Sequence, residues 1–189
     1  MKKNDQKKVL LAITGASGFI YAVKMIQLLK DNNIEVHLIV SKAAEQNRSL
    51  ETNYTSNEIK QMADHVYSNQ DISACVASGS YIIDAMIILP CSAKTLAEVS
   101  NGFASSLISR AADVMLKERR KLILAIRETP LNRIHLQNML NVTDSGGIIM
   151  PPLPAFYLQP KNIDELIYDT VARIADMAGI SVTNIKRWI

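Results

Sequence analysis

The chain has 189 residues, 48% of them hydrophobic and 21% charged, with a formal net charge of +3. That length fits one domain with a sizeable core, and the composition is that of an ordinary globular protein. The charge excess is too small for a nucleic-acid binder. Basic residues form no stripe beyond Lys117–Lys121, and aromatic residues are not interleaved with that cluster, so no nucleic-acid partner is expected.

Two cysteines, Cys75 and Cys91, make neither a metal spacing nor a disulfide framework, and no metal site is expected. A cytoplasmic location is the default. Residues 1–8 are basic and polar, and the apolar run Val9–Ile13 that follows is too short for a signal peptide. No stretch approaches the length of a membrane span.

From Lys8 onward the pattern alternates strand and helix. Lys8–Ile13 is a buried-strand run, followed by Gly15-Ala16-Ser17-Gly18 and an amphipathic stretch to Leu29. Ile34–Val40 reads as the second strand, with Ser41 at its end and a helix from Lys42 that Glu51 closes. Thr55 and Glu58 fit a capping box for a helix to about His65. Ala74–Ser80 is small and polar, hence loop, and Ala85–Leu89 is a core strand stopped by Pro90. Helices near Ala93–Ser100 and Ser105–Arg119 precede the strand Leu122–Ile126. Pro130 opens a further helix to about Leu140, and Gly147–Met150 is a short strand. The last helix runs from about Ile163 to Ala178 and is capped by Gly179.

Strands spaced by helices of this length predict a single-domain, Rossmann-like, doubly wound parallel α/β sheet with helices on both faces. The domain spans residues 1–189, with a polar N-terminal tail at 1–7 and a C-terminal tail at 180–189. Ligands of such sheets bind beyond the carboxyl ends of the strands, which makes those ends the places to search.

Four of them carry polar residues. Gly15-Ala16-Ser17-Gly18 lets backbone N–H groups approach an anion at a helix N-terminus, or is a tight turn with no ligand. It is not G-x-G-x-x-G, and Ser41 rather than an acidic residue closes the second strand, which favours a mononucleotide such as FMN over a dinucleotide. Pro90-Cys91-Ser92-Ala93-Lys94-Thr95 offers two hydroxyls and a lysine as a phosphate cradle, or simple capping by Ser92. Arg110 and Lys117, seven residues apart, return to nearly one helix face at about 100° per residue. Arg127-Glu128 stands where the next strand stops, and the pair is either a structural salt bridge or part of a proton-transfer site beside a phosphate. Tyr157 and, on the last helix, Arg173 close the far side of a phosphate or serve as an interface tyrosine and a solvated cation. His37, His65 and His135 are scattered and read as structural.

Taken in order, nearly the whole chain resembles the flavin prenyltransferases of the UbiX type, within the homo-oligomeric flavoproteins. The matching pieces are T-G-A-S-G at Thr14–Gly18, S-K-A-A at Ser41–Ala44, L-E-T at Leu50–Thr52 and A-S-G-S at Ala77–Ser80. They continue with P-C-S-A-K-T-L-A at Pro90–Ala97, R-A-A-D-V-M-L-K-E-R-R at Arg110–Arg120 and R-E-T-P-L at Arg127–Leu131. H-L-Q-N-M at His135–Met139 and P-A-F-Y at Pro154–Tyr157 complete the set.

The resemblance implies joining a dimethylallyl group from dimethylallyl monophosphate to N5 and then C6 of reduced FMN, without a metal. A fourth ring results, and a UbiD-type decarboxylase uses the product. It implies that Gly15, Ala16, Ser17, Ser41, Ser92, Ala93, Lys94, Thr95 and Arg127 hold FMN. Arg110, Lys117, Tyr157 and Arg173 would hold the allylic phosphate, partly across subunits of a trimer-based, even dodecameric, homo-oligomer. Ser17, Glu51 and Glu128 would flank the flavin edge as catalytic groups beside Arg110 and Lys117, with Glu128 the candidate for proton transfer. Some relatives carry tryptophan where Ile72 follows Asp71, so a π-face for a carbocation is replaced here by an aliphatic side chain. Two alternatives stand beside this reading: an FMN-dependent decarboxylase of the same fold, and a non-catalytic flavin carrier.

Overall fold

A computed structural model describes residues 6–182 and residue 185. Six parallel strands form one sheet in the order β3-β2-β1-β4-β5-β6. They are β1 (Lys8–Ile13), β2 (Glu35–Val40), β3 (His65–Tyr67), β4 (Ala85–Cys91), β5 (Lys121–Ile126) and β6 (Ile148–Ile149). The helices are α1 (Phe19–Asp31), α2 (Lys42–Glu51), α3 (Ser56–Gln61), α4 (Ala93–Ser100), α5 (Leu107–Lys117), α6 (Arg133–Asp144) and α7 (Ile163–Met177). Single 3₁₀ turns lie at Cys75–Ala77 and Phe156–Leu158.

The doubly wound expectation holds, and the reason is visible in β1. Successive side chains of a strand point to opposite faces. Val9, Leu11 and Ile13 pack in a layer with α1 and α7, while Leu10 and Ala12 pack in a second layer with α4 and α5. Both faces are apolar, so both must be covered. The order turns back between β1 and β4, and the carboxyl ends of these two neighbours frame the crevice where such sheets take ligands.

Four local expectations are corrected. The third core strand runs through Pro90 to Cys91, at a register shift where the missing N–H breaks no ladder bond. The helix begun by the Thr55–Glu58 capping box ends at Gln61, and His65–Tyr67 joins the sheet as its edge strand. Pro130 does not open α6: Asn132 does, its side chain accepting the His135 N–H at 2.9 Å, and the helix continues to Asp144. Finally, Ile180 and Val182 of the expected C-terminal tail are buried, and Ile185 packs against the same core. The remaining tail residues, 1–5, 183, 184 and 186–189, lie outside the described residues. No helix among the described residues is long and apolar enough to cross a membrane.

Candidate active site

Thr14 ties the two central strand ends together. Its N–H and hydroxyl both donate to the Pro90 carbonyl, at 3.2 and 2.8 Å, and its oxygen accepts the Ser92 N–H at 2.8 Å. The turn after β1 and the start of α4 are thereby fixed beside one cavity of about 600 Å³. Gly15, Ser41, Ser92, Ala93, Lys94, Thr95 and Glu128 line it, bringing together residues of four strand ends. That volume suits a cofactor-sized ligand.

The hydroxyls on its wall are already oriented. Ser41 caps α2 by accepting the Ala44 N–H at 3.1 Å, and Ser92 caps α4 by accepting the Thr95 N–H at 3.3 Å. A hydroxyl that accepts this bond still has its own O–H to donate. Two helix N-termini therefore face the cavity with donors arranged for an anion. Lys94 is a solvated cation at the rim, 3.4 Å from Glu98.

The start of α1 is occupied by the chain itself. Glu51, at the end of α2, accepts the Gly18 and Phe19 N–H groups at 2.9 and 2.8 Å. Burial pushes the Glu51 carboxyl up. The N–H groups of Phe19 and Gly18, the Ser17 hydroxyl and the Arg127 charge outweigh that and hold it below its ordinary value of 4.5. Thus a carboxylate from α2 occupies the N–H groups that the glycine turn offers an anion. Gly18 adopts φ +107°, a left-handed conformation that glycine takes without a Cβ penalty. Gly15 is needed for closeness instead: a Cβ there would sit 2.5 Å from that of Ala43.

Ser17, Glu51 and Arg127 thus form a small group beside the β1 turn. Arg127 is fixed by its own N–H, which donates to the Cys91 carbonyl at 3.0 Å. Glu128 follows on the cavity wall, accepting the Thr129 N–H at 3.1 Å. Ala16 is buried beneath the turn. Cys91 is fully buried, and burial pushes its thiol far up, so it is a packing residue and no nucleophile.

The four residues expected at the allylic phosphate do not meet within one chain. On α5, Arg110 donates to the Ala77 carbonyl at 3.2 Å and pairs with Asp113 at 2.7 Å, while Lys117 pairs with Glu118. Tyr157 and Arg173 line a separate pocket of about 100 Å³ with Met150 and Leu153, and Arg173 pairs with Asp176 at 2.7 Å. Helices α5 and α7 cover opposite faces of the sheet. Ile72 is 65% exposed.

The cavity also has a wall that the sequence reading missed. Asn69 and Gln70, just beyond β3, line it with Lys42, Gln46 and Ser106. The Asn69 carbonyl and side-chain oxygen accept the Leu107 and Ile108 N–H groups at 2.9 and 3.1 Å, anchoring the start of α5. With β3 read as the end of a helix, its carboxyl end could not be searched. The signal was the alternation of His65, Val66 and Tyr67, only three residues long.

The fold and site define a doubly wound α/β protein with a cofactor-sized cavity, flanked by two helix N-termini, at its strand carboxyl ends. Comparison with known proteins gives that class a family: residues 1–184 match the Flavoprotein model, and the chain belongs to that family. It is 46% identical over 182 residues to Flavin prenyltransferase UbiX of Neisseria meningitidis serogroup B, covering 96% of each chain. It is also similar to the solved structure of AnUbiX (PadA1) in complex with FMN and dimethylallyl pyrophosphate, with a TM-score of 0.95 and 45% identity over 97% of this chain and 98% of that one. A dodecameric FMN-dependent Ubix-like decarboxylase from Escherichia coli O157:H7 superposes with a TM-score of 0.93 at 42% identity, over 96% and 99% of the two chains.

Proposed function

We propose that this chain is a flavin prenyltransferase that transfers a dimethylallyl group from dimethylallyl monophosphate to reduced FMN. The observation that carries the reading is the single cavity bounded by Gly15, Ser41, Ser92–Thr95 and Glu128, in a chain so similar to a UbiX enzyme along its whole length. The donor set fits FMN: hydroxyls of Ser41, Ser92 and Thr95 at two helix N-termini suit its phosphate. The turn at Gly15–Ser17 and Arg127 then take the flavin ring. Reduced FMN supplies the electron-rich N5 and C6 that accept the allyl carbons.

The chain's own groups do the rest. When the allylic C–O bond breaks, the electron pair leaves on the phosphate, and Arg110, Lys117, Tyr157 and Arg173 stabilise that charge. Glu128, on the cavity wall, would be the proton-transfer group for ring closure, in which the allyl double bond gains a proton and C6 loses one, while the proton from N5 would leave with the phosphate. Ser17 and Glu51 fix the turn that positions the flavin edge, replacing a bimolecular encounter by a held one. Because α5 and α7 lie on opposite faces, the phosphate site is completed by a neighbouring copy, in a trimer-based homo-oligomer that builds to a dodecamer. Exposed Ile134, Leu136 and Leu140 on α6 supply apolar contact for such assembly. Residues 1–189 act as one flavoprotein domain. It works in the cytoplasm, consistent with two unpaired thiols, and passes its product to a UbiD-type decarboxylase.

The decisive experiment is anaerobic. Protein, reduced FMN and dimethylallyl phosphate are mixed, and the released flavin is weighed by mass spectrometry. A flavin heavier by one C5 prenyl unit is the expected result. Bound but unmodified FMN, with the diphosphate also tried, would instead favour a carrier or a decarboxylase of the same fold.

A further inference from the structure

We propose that Glu35, His37 and His65 form a binding site for a divalent transition-metal ion of the zinc type, at the amino edge of the sheet and remote from the prenyl-transfer chemistry. The parallel register of β2 and β3 sets His37 directly beside His65. Glu35 precedes His37 by two residues in β2, so both point to the same face. One carboxylate oxygen of Glu35 lies 3.1 Å from Nε2 of His37 and 3.0 Å from Nε2 of His65. All three donor atoms lie within 4.8 Å of one another. Around a tetrahedral zinc with bonds of about 2.0–2.2 Å, donors sit roughly 3.3 Å apart. The two rings stack at 4.6 Å with 21° between their planes, so the exposed His65 ring must turn to bring its lone pair onto an ion held by Glu35 and His37.

The surroundings are those of a supported site. His37 is fully buried, and its second nitrogen lies 2.8 Å from the Tyr67 hydroxyl, which fixes the ring with Nε2 toward Glu35. The His65 side chain is 49% exposed, which leaves an entry path and a fourth position for water. Two imidazoles and one carboxylate select zinc, cobalt or nickel over magnesium or calcium. One group opposes binding: the Lys8 ammonium, 4.0 Å from the same Glu35 oxygen and 3.4 Å from the Tyr81 hydroxyl.

Such an ion would clip β3 to β2. With three residues at the sheet edge, β3 has few ladder bonds of its own. The residues just after it, Asn69 and Gln70, wall the strand-end cavity, and Asn69 anchors α5. Metal binding would therefore stiffen that wall without entering the cavity.

The test uses the untagged full chain, stripped with a chelator and titrated with zinc chloride by calorimetry. Saturable binding of one zinc per chain and a rise in Tm are expected. Cobalt chloride should give visible d–d bands without a thiolate charge-transfer band. His65→Ala should weaken zinc binding at least tenfold while leaving the circular dichroism unchanged. Lys8→Met should tighten binding several-fold, and Cys75→Ser should leave it unchanged. No saturable zinc binding, binding indifferent to His65→Ala, or a thiolate band that disappears in Cys75→Ser would each overturn the site.

Discussion

Glu51 stays exposed to solvent, as a helix-end glutamate normally does, but its carboxylate is tied to the N-terminus of α1. Its carboxylate form is the one the native state prefers. A folded-state pKa below the ordinary value means stability that is present above that value and is lost as pH falls through the folded pKa. Glu51→Gln is therefore expected to cost on the order of 1 kcal/mol at neutral pH, the solvent exposure of the group keeping the figure small. Denaturant melts of both proteins should converge in acid, below the ordinary value of 4.5; a gap independent of pH would mean that charge is not what Glu51 contributes. Glu128 is a different case. It caps nothing beyond its neighbour Thr129 and lines the cavity, so Glu128→Gln should retain FMN affinity while slowing turnover by a factor of about 10²–10⁴. Undiminished turnover in single-turnover kinetics would take Glu128 out of the mechanism.

At the scale of elements, the site depends on how closely α2 approaches the β1 turn. The space for a methyl at Gly15 is taken by Ala43, on the first turn of α2. Gly15→Ala should then push α2 and Ser41 outward, costing about 1–3 kcal/mol. In a chain of this size that lowers Tm by roughly 2–4 °C per kcal/mol. Adding Ala43→Gly should recover most of the loss and much of the FMN affinity, because it removes the colliding carbon. A double variant no more stable than Gly15→Ala would show that something other than this contact decides the position of α2. The same scale explains which elements were hard to read. Long amphipathic segments such as α1 and α5 announce themselves by periodicity. A three-residue edge strand does not, and neither does a strand that continues through a proline.

Across the whole molecule, the sheet separates two halves of one proposed phosphate site. Arg110 and Lys117 ride on one layer and Arg173 on the other, so a complete site requires two copies. Lys117→Ala and Arg173→Ala should each raise the KM for dimethylallyl phosphate steeply while FMN still binds. When the two variants are co-expressed and assemble together, some interfaces regain both cations, and activity absent from either variant alone should return. Mixed assemblies as inactive as their parents would place the site within a single chain.

Much of this protein was determined by its sequence alone. Alternating apolar runs and amphipathic stretches dictate a doubly wound parallel sheet, because strands apolar on both faces can be buried only between helix layers. The glycine and polar residues at strand ends, Gly15, Ser41, Ser92 and Glu128, named the cavity, since the fold puts all carboxyl ends on one edge. Tertiary structure decided the rest. Which anion caps α1, which residues beyond β3 wall the cavity and which imidazoles meet at the opposite edge depend on lateral register between strands distant in sequence. That register is set by packing across the whole sheet, which no local pattern encodes.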